Sequence, residues 1–118
     1  MHSESLLRRL LFSTLILFCP ALFAQDPNQC IQLDTTSGAG ILRNTCEQTI
    51  NVTYCVENPK IALNCAVKGY GVKTLAKDEM EIIPSYIEQG GGMVYWGACD
   101  APAFATDWGP DQDYYCNQ

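Results

Sequence analysis

The chain has 118 residues, 17% of them charged and 47% hydrophobic, with a formal net charge of −6. That length suits one ordinary domain and a modest core. The acidic balance excludes tight binding to nucleic acid or anionic lipid, favours solubility and leaves room for basic partners.

Residues 1–24 read as a targeting segment. Arg8 and Arg9 form a basic region, residues 10–18 an apolar run, Pro20 ends the helix that run makes, and Ala24 offers a small residue for cleavage. This is the three-part layout of a secretory signal peptide. The run is shorter than the roughly 20 residues that span a bilayer, so no membrane span is expected after processing. Cleavage before Gln25 removes Cys19 and leaves Cys30, Cys46, Cys55, Cys65, Cys99 and Cys116 in a single domain, residues 25–118. An even count in a short exported chain reads as a disulfide framework, and the protein is expected to be secreted or periplasmic. Zinc is the competing reading, but the chain has no Cys-x-x-Cys pair and its one histidine, His2, precedes the cleavage point. The processed chain sets five cations against twelve acids, a net of −7.

Residues 30–33 are expected to form a first strand, 35–40 its turn and 41–46 a second strand. Residues 49–56 carry the clearest signal. Ile50, Val52, Tyr54 and Val56 alternate with Thr49, Asn51, Thr53 and Cys55, the pattern of a half-buried strand. Pro59 marks a turn, and a second alternation follows in Ile61, Leu63, Cys65 and Val67. If the two runs pair as a hairpin, a four-residue loop sets Val56 opposite Leu63 and keeps the apolar side chains on one face. A bulge or a five-residue loop instead sets Cys55 opposite Cys65. The apolar pattern favours the first register, and the short cysteine span the second. Residues 72–76, 80–83 and 93–99 read as further strands, 85–89 as ambiguous, and 100–118 as an acidic, aromatic loop. No helix of ten residues is expected from residue 25 onward. The sum is an all-β fold, a small antiparallel β-sandwich or open barrel stapled by disulfides. Cys55–Cys65 is the first pairing expected, with Cys46–Cys99 and Cys30–Cys116 completing the set.

Asn44-Thr45-Cys46, then Tyr54-Cys55, Cys65, Ala98-Cys99 and Cys116 resemble the cysteine layout of a set of small exported bacterial proteins described as hypothetical. The resemblance implies export and cross-linking and carries no activity.

Catalysis finds little support. No histidine follows His2, so a serine or cysteine nucleophile lacks its usual base. Asp78, Glu79 and Glu81 sit in a polar turn, where a solvated charge cluster is the ordinary explanation. Asp107, Asp111 and Asp113 are hard oxygen ligands, but no glycine and distal glutamate complete a calcium loop. No catalytic residue, metal or cofactor is therefore expected. The functional expectation is a non-catalytic binding or structural module with a protein partner. Its contact residues are Asp100, Phe104, Asp107, Trp108, Asp111 and Asp113, with Trp108 as an exposed anchor. That anchor role belongs to the binding-loop reading; for the aromatic residues themselves, core filling under the long loop is the favoured role. The alternative function is an acidic antagonist of a basic secreted hydrolase such as a lysozyme.

Overall fold

The computed structural model describes residues 26–108 and 114–118, so the expected export segment lies outside it. Asp26 caps a single helical turn, α1 (Pro27–Cys30), by accepting from the Asn28 amide at 3.0 Å. Pro27, with no amide to leave unpaired, suits the first position of that turn. Strand β1 (Ile31–Asp34) follows and pairs antiparallel with β2 (Gly40–Asn44). The turn between them is held by Asp34, which accepts from the Thr36 amide and hydroxyl. These bonds hold the Asp34 carboxyl below its ordinary pKa.

Strand β3 (Ile50–Glu57) is buried from Ile50 through Val56. The alternation at 49–56 thus gives a strand covered on both faces rather than one. Ile50, Val52, Tyr54 and Val56 face the main core, while Asn51, Thr53 and Cys55 lie beneath other chain segments. After β3 the expected hairpin does not form. Ile61 donates to Asn58 O at 3.1 Å in a tight turn, and Val56 donates to Leu63 O at 2.8 Å in an isolated parallel bridge. Residues Cys65–Val67 then make a 3-10 turn, capped by Asn64 and ended by Lys68 in a left-handed conformation (φ 56°). Neither register weighed for residues 61–67 applies. The Asn64 side chain offers the backbone a turn in place of a ladder, and Val67 is 74% exposed.

The place expected for that segment is taken by β4 (Gly71–Leu75), which pairs with β3 through Ile50↔Leu75 and Tyr54↔Gly71. Gly71 is required there, since an added Cβ would come within 2.6 Å of the Tyr54 ring. Strand β5 (Met80–Ile83) joins the first sheet beside β2, and β6 (Met93–Asp100) pairs with β3 along its whole length. Residues 85–89 form turns rather than a strand. Short strands β7 (Phe104–Thr106) and β8 (Tyr115–Asn117) make a separate hairpin in the stretch expected to be loop.

The result is an all-β, disulfide-stapled fold of two three-stranded antiparallel sheets, ordered β1-β2-β5 and β4-β3-β6, with the β7-β8 pair added. Leu42 and Ile83 from the first sheet share one core with Ile50, Val52, Val56, Leu75 and Ala98 from the second. Each of the leucine, isoleucine and valine side chains contributes about 1.5–3 kcal/mol on burial.

All six expected cysteines are paired, but two of the expected partners change. The bonds are Cys30–Cys46, Cys55–Cys65 and Cys99–Cys116; Cys46–Cys99 and Cys30–Cys116 do not form. The β1-β2 register explains the first correction. Ile31 lies opposite Asn44, so the residues flanking that pair meet at the open end of the hairpin, with Cα atoms of Cys30 and Cys46 5.3 Å apart. The bonds close spans of 16, 10 and 17 residues, each worth about 3 kcal/mol in the chain-entropy account.

Two polar contacts tie the sheets together. Asn44, fully buried at the end of β2, donates to Gln48 O at 2.8 Å and to Leu75 O at 2.9 Å, and accepts from the Cys46 amide at 3.0 Å. Tyr54, on β3, faces Glu81 on β5; burial, then the Glu81 charge, push its phenol up to about 12.

Asn44→Ala leaves two carbonyls and one amide without partners and is expected to cost about 3 kcal/mol in urea unfolding. Asn44→Asp should lose a similar amount, because a carboxylate cannot donate to Gln48 and Leu75. An unchanged midpoint in both variants would refute the role given to this amide. Tyr54 supplies a pH test. Its raised pKa gives stability that is complete below the unfolded value of 10.0 and is lost as pH rises toward about 12. Tyr54→Phe should abolish that part of the alkaline loss and remove a late-titrating phenol from an ultraviolet absorbance titration.

Candidate functional site

The C-terminal segment is fastened to the face of the second sheet that turns away from the main core. Ala101 donates to Thr49 O at 3.0 Å, and Asn51 donates to Ala103 O at 2.9 Å. Asn51 in turn accepts from the Thr74 hydroxyl at 2.6 Å, so its buried carboxamide links β4, β3 and the start of β7. Cys99, opposite Asn51 on β6, bonds to Cys116 on β8. The outer edge of β6 is covered as well. The Tyr114 hydroxyl donates to Ala98 O at 2.9 Å and lies 3.1 Å from the Ala98 amide, which also meets Asn28 Oδ1 at 3.2 Å. Burial raises the Tyr114 pKa, partly opposed by the Ala98 bond. These contacts close an edge that would otherwise present free backbone groups.

Trp108, the anchor of the binding-loop reading, is only 9% exposed, in keeping with the favoured core-filling role. Its indole lies on Gly97, where an added Cβ would come within 2.4 Å, and meets the Tyr70 ring edge-on at a centroid distance of 5.0 Å. A glycine inside β6 makes the hollow that the tryptophan fills. Core filling, not exposure, describes this residue, and the binding-loop expectation loses its anchor.

The remaining expected contact residues separate. Asp100 and Asp107 are exposed, and Phe104 is 44% exposed. Asp111 and Asp113 lie outside the described residues. Among the described residues no group of three His, Cys, Asp or Glu side chains converges on a metal position.

Strand alternation defines the face that is left. The pairs Phe104↔Asn117 and Thr106↔Tyr115 point one way, and Ala105↔Cys116 points the other, toward Cys99. Phe104 and Tyr115 (73% exposed) therefore share the outward face of the hairpin. Asn117 donates to the Thr106 hydroxyl at 3.3 Å between them. Tyr115 was not among the contact residues expected from the sequence, although the signal was available. Cys116 must turn inward to form a disulfide, so Tyr115 and Asn117 must turn outward.

In comparison with known proteins, the chain matches no protein-family model, no curated protein and no solved structure.

Trp108→Ala removes a buried indole and is expected to destabilise the fold by about 3 kcal/mol or more. Phe104→Ala and Tyr115→Ala should each stay within about 0.5 kcal/mol of the parent. Thermal unfolding of the three variants distinguishes the roles; a neutral Trp108→Ala would restore the exposed-anchor reading.

Proposed function

We propose that this domain is a non-catalytic binding module acting outside the cytoplasm, secreted or periplasmic, and that its contact surface is the outward face of the β7-β8 hairpin. One observation carries the reading: Phe104 and Tyr115 lie exposed on one face of a strand pair fixed from behind by Cys99–Cys116. Exposed aromatics on a rigid support supply contact area at little entropic cost, which is how interface anchors work. Asp100 and Asp107 flank them and suit a partner of basic character. The three disulfides agree with an oxidising compartment.

The charge favours one second reading, antagonism of a basic secreted hydrolase. Twelve acids against five cations in residues 25–118 would steer such an enzyme toward this surface in a salt-dependent way.

Affinity capture of secreted or periplasmic proteins, comparing the parent with the Phe104→Ala/Tyr115→Ala double variant, tests the main proposal. A partner retained by the parent is expected to be lost from the variant, by about tenfold or more in affinity, with thermal unfolding unchanged. Equal retention by both would sink the hairpin as the contact. Lysozyme serves as the probe for the second reading: inhibition that weakens steeply with salt supports it, and undisturbed activity removes it.

A further inference from the structure

A second site lies away from the hairpin, between the loop after β3 and the loop after β5. It is an open cavity of about 330 Å³ whose walls include Ile61, Leu63 and Pro84, with Ser85 and Gln89 on the β5 side. Lys60 carries the only charge among the lining residues and forms no ion pair with any described carboxylate. The walls are fixed before any ligand arrives. Buried Asn58 donates to Gln89 O at 2.8 Å and also to Gly91 O, which stitches the two loops together, and its side-chain oxygen accepts from the Lys60 amide at 3.0 Å. Gln89 donates to Ser85 O at 3.0 Å, and Cys55–Cys65 closes the β3 side. Ser85 holds a left-handed backbone (φ 56°) at the rim, a conformation that a non-glycine residue keeps only where its surroundings impose it.

A partly apolar hollow of this size, preorganised and with one charged residue to orient its guest, has the form of a small-ligand site. Lys60, the one cation among the lining residues, selects the sign of the head group. We propose that this cavity binds a small amphipathic anion, a short- or medium-chain monocarboxylate, with the acyl chain against Ile61, Leu63 and Pro84 and the carboxylate at Lys60.

Titrating the isotopically labelled protein with octanoate, and following backbone amide shifts by NMR, tests the assignment. Saturable shifts are expected in residues 60–63 and 84–89, with hexanoate weaker by about two- to fourfold per methylene removed. Octanol should bind about two- to fivefold more weakly than octanoate, the worth of one exposed charge pair. Lys60→Met keeps the stem and should erase that difference. Ala62→Trp, at an exposed lining position, should block octanoate without unfolding the domain. Absence of saturable shifts at millimolar octanoate, shifts centred elsewhere, or equal binding of octanol and octanoate by the parent would each overturn the proposal.

Discussion

The carboxamide of Asn44 is the joint between the two sheets. It stands at the end of β2, yet its two donated hydrogen bonds reach the turn before β3 and the last residue of β4. Its oxygen receives the Cys46 amide, which sets the cysteine beside Cys30. No other side chain of this size offers two donors and an acceptor without charge, and charge is what a fully buried site penalises. With this joint made, Ile50 and Leu75 pair at a fixed place and the shared core can close. Asn51 and Asn58 repeat the device at the two ends of β3, each fastening a loop that would otherwise leave backbone groups unpaired inside the protein. The domain is small, so its loops are held by buried amides and short disulfides more than by the mass of its core.

Strand existence was legible in the sequence, and strand pairing was not. Alternation at 49–56 and the aromatic run at 93–99 reflect local side-chain patterning, and both became strands within a residue or so. Within β6, Trp96 packs against the core, while the Tyr95 hydroxyl reaches Glu57. Residues 61–67 misled because alternation is necessary for a half-buried strand but not sufficient. Ile61 turns inward from a tight turn, and Val67 lies in solvent after a 3-10 turn. Asn51 and Thr53 misled in the other direction. As polar residues they marked a solvent face, but Asn51 is buried under the C-terminal segment with its hydrogen bonds satisfied. The β7-β8 hairpin escaped notice because three-residue strands have no periodicity to read, and its pairing depends on Cys99 joining Cys116.

Trp108 shows why the candidate site was only half visible. A tryptophan among acids and proline reads as exposed when judged by its neighbours in sequence. Its real neighbours are Gly97 and Tyr70, which are brought to it by the β3-β6 ladder and the approach to β4. The informative residue was Gly97. A glycine within a strand loses side-chain packing and backbone entropy, so its presence signals that something large comes close. Burial of Trp108 then changes which side chains the proposed contact rests on. The indole holds the segment in position from beneath, and the side chains that alternation sends outward are Phe104 and Tyr115.

The hairpin and the Lys60 cavity also differ in the chemistry they offer, and β3 keeps them apart. The segment leading into the hairpin is anchored at Thr49 and Asn51, while the cavity opens beyond Glu57. Eight residues of strand separate these ends by roughly 25 Å. Strand β3 is buried on both faces and paired on both edges, so it has no alternative arrangement through which one end could signal to the other. Coupling between distant sites needs an element with two states, and the best-packed strand of the fold is the poorest candidate for one. Occupancy of the cavity and engagement of the hairpin should therefore act as independent events, with energies that add. The two proposed surfaces, the acidic, aromatic face and the single-cation hollow, are then carried separately by one rigid support.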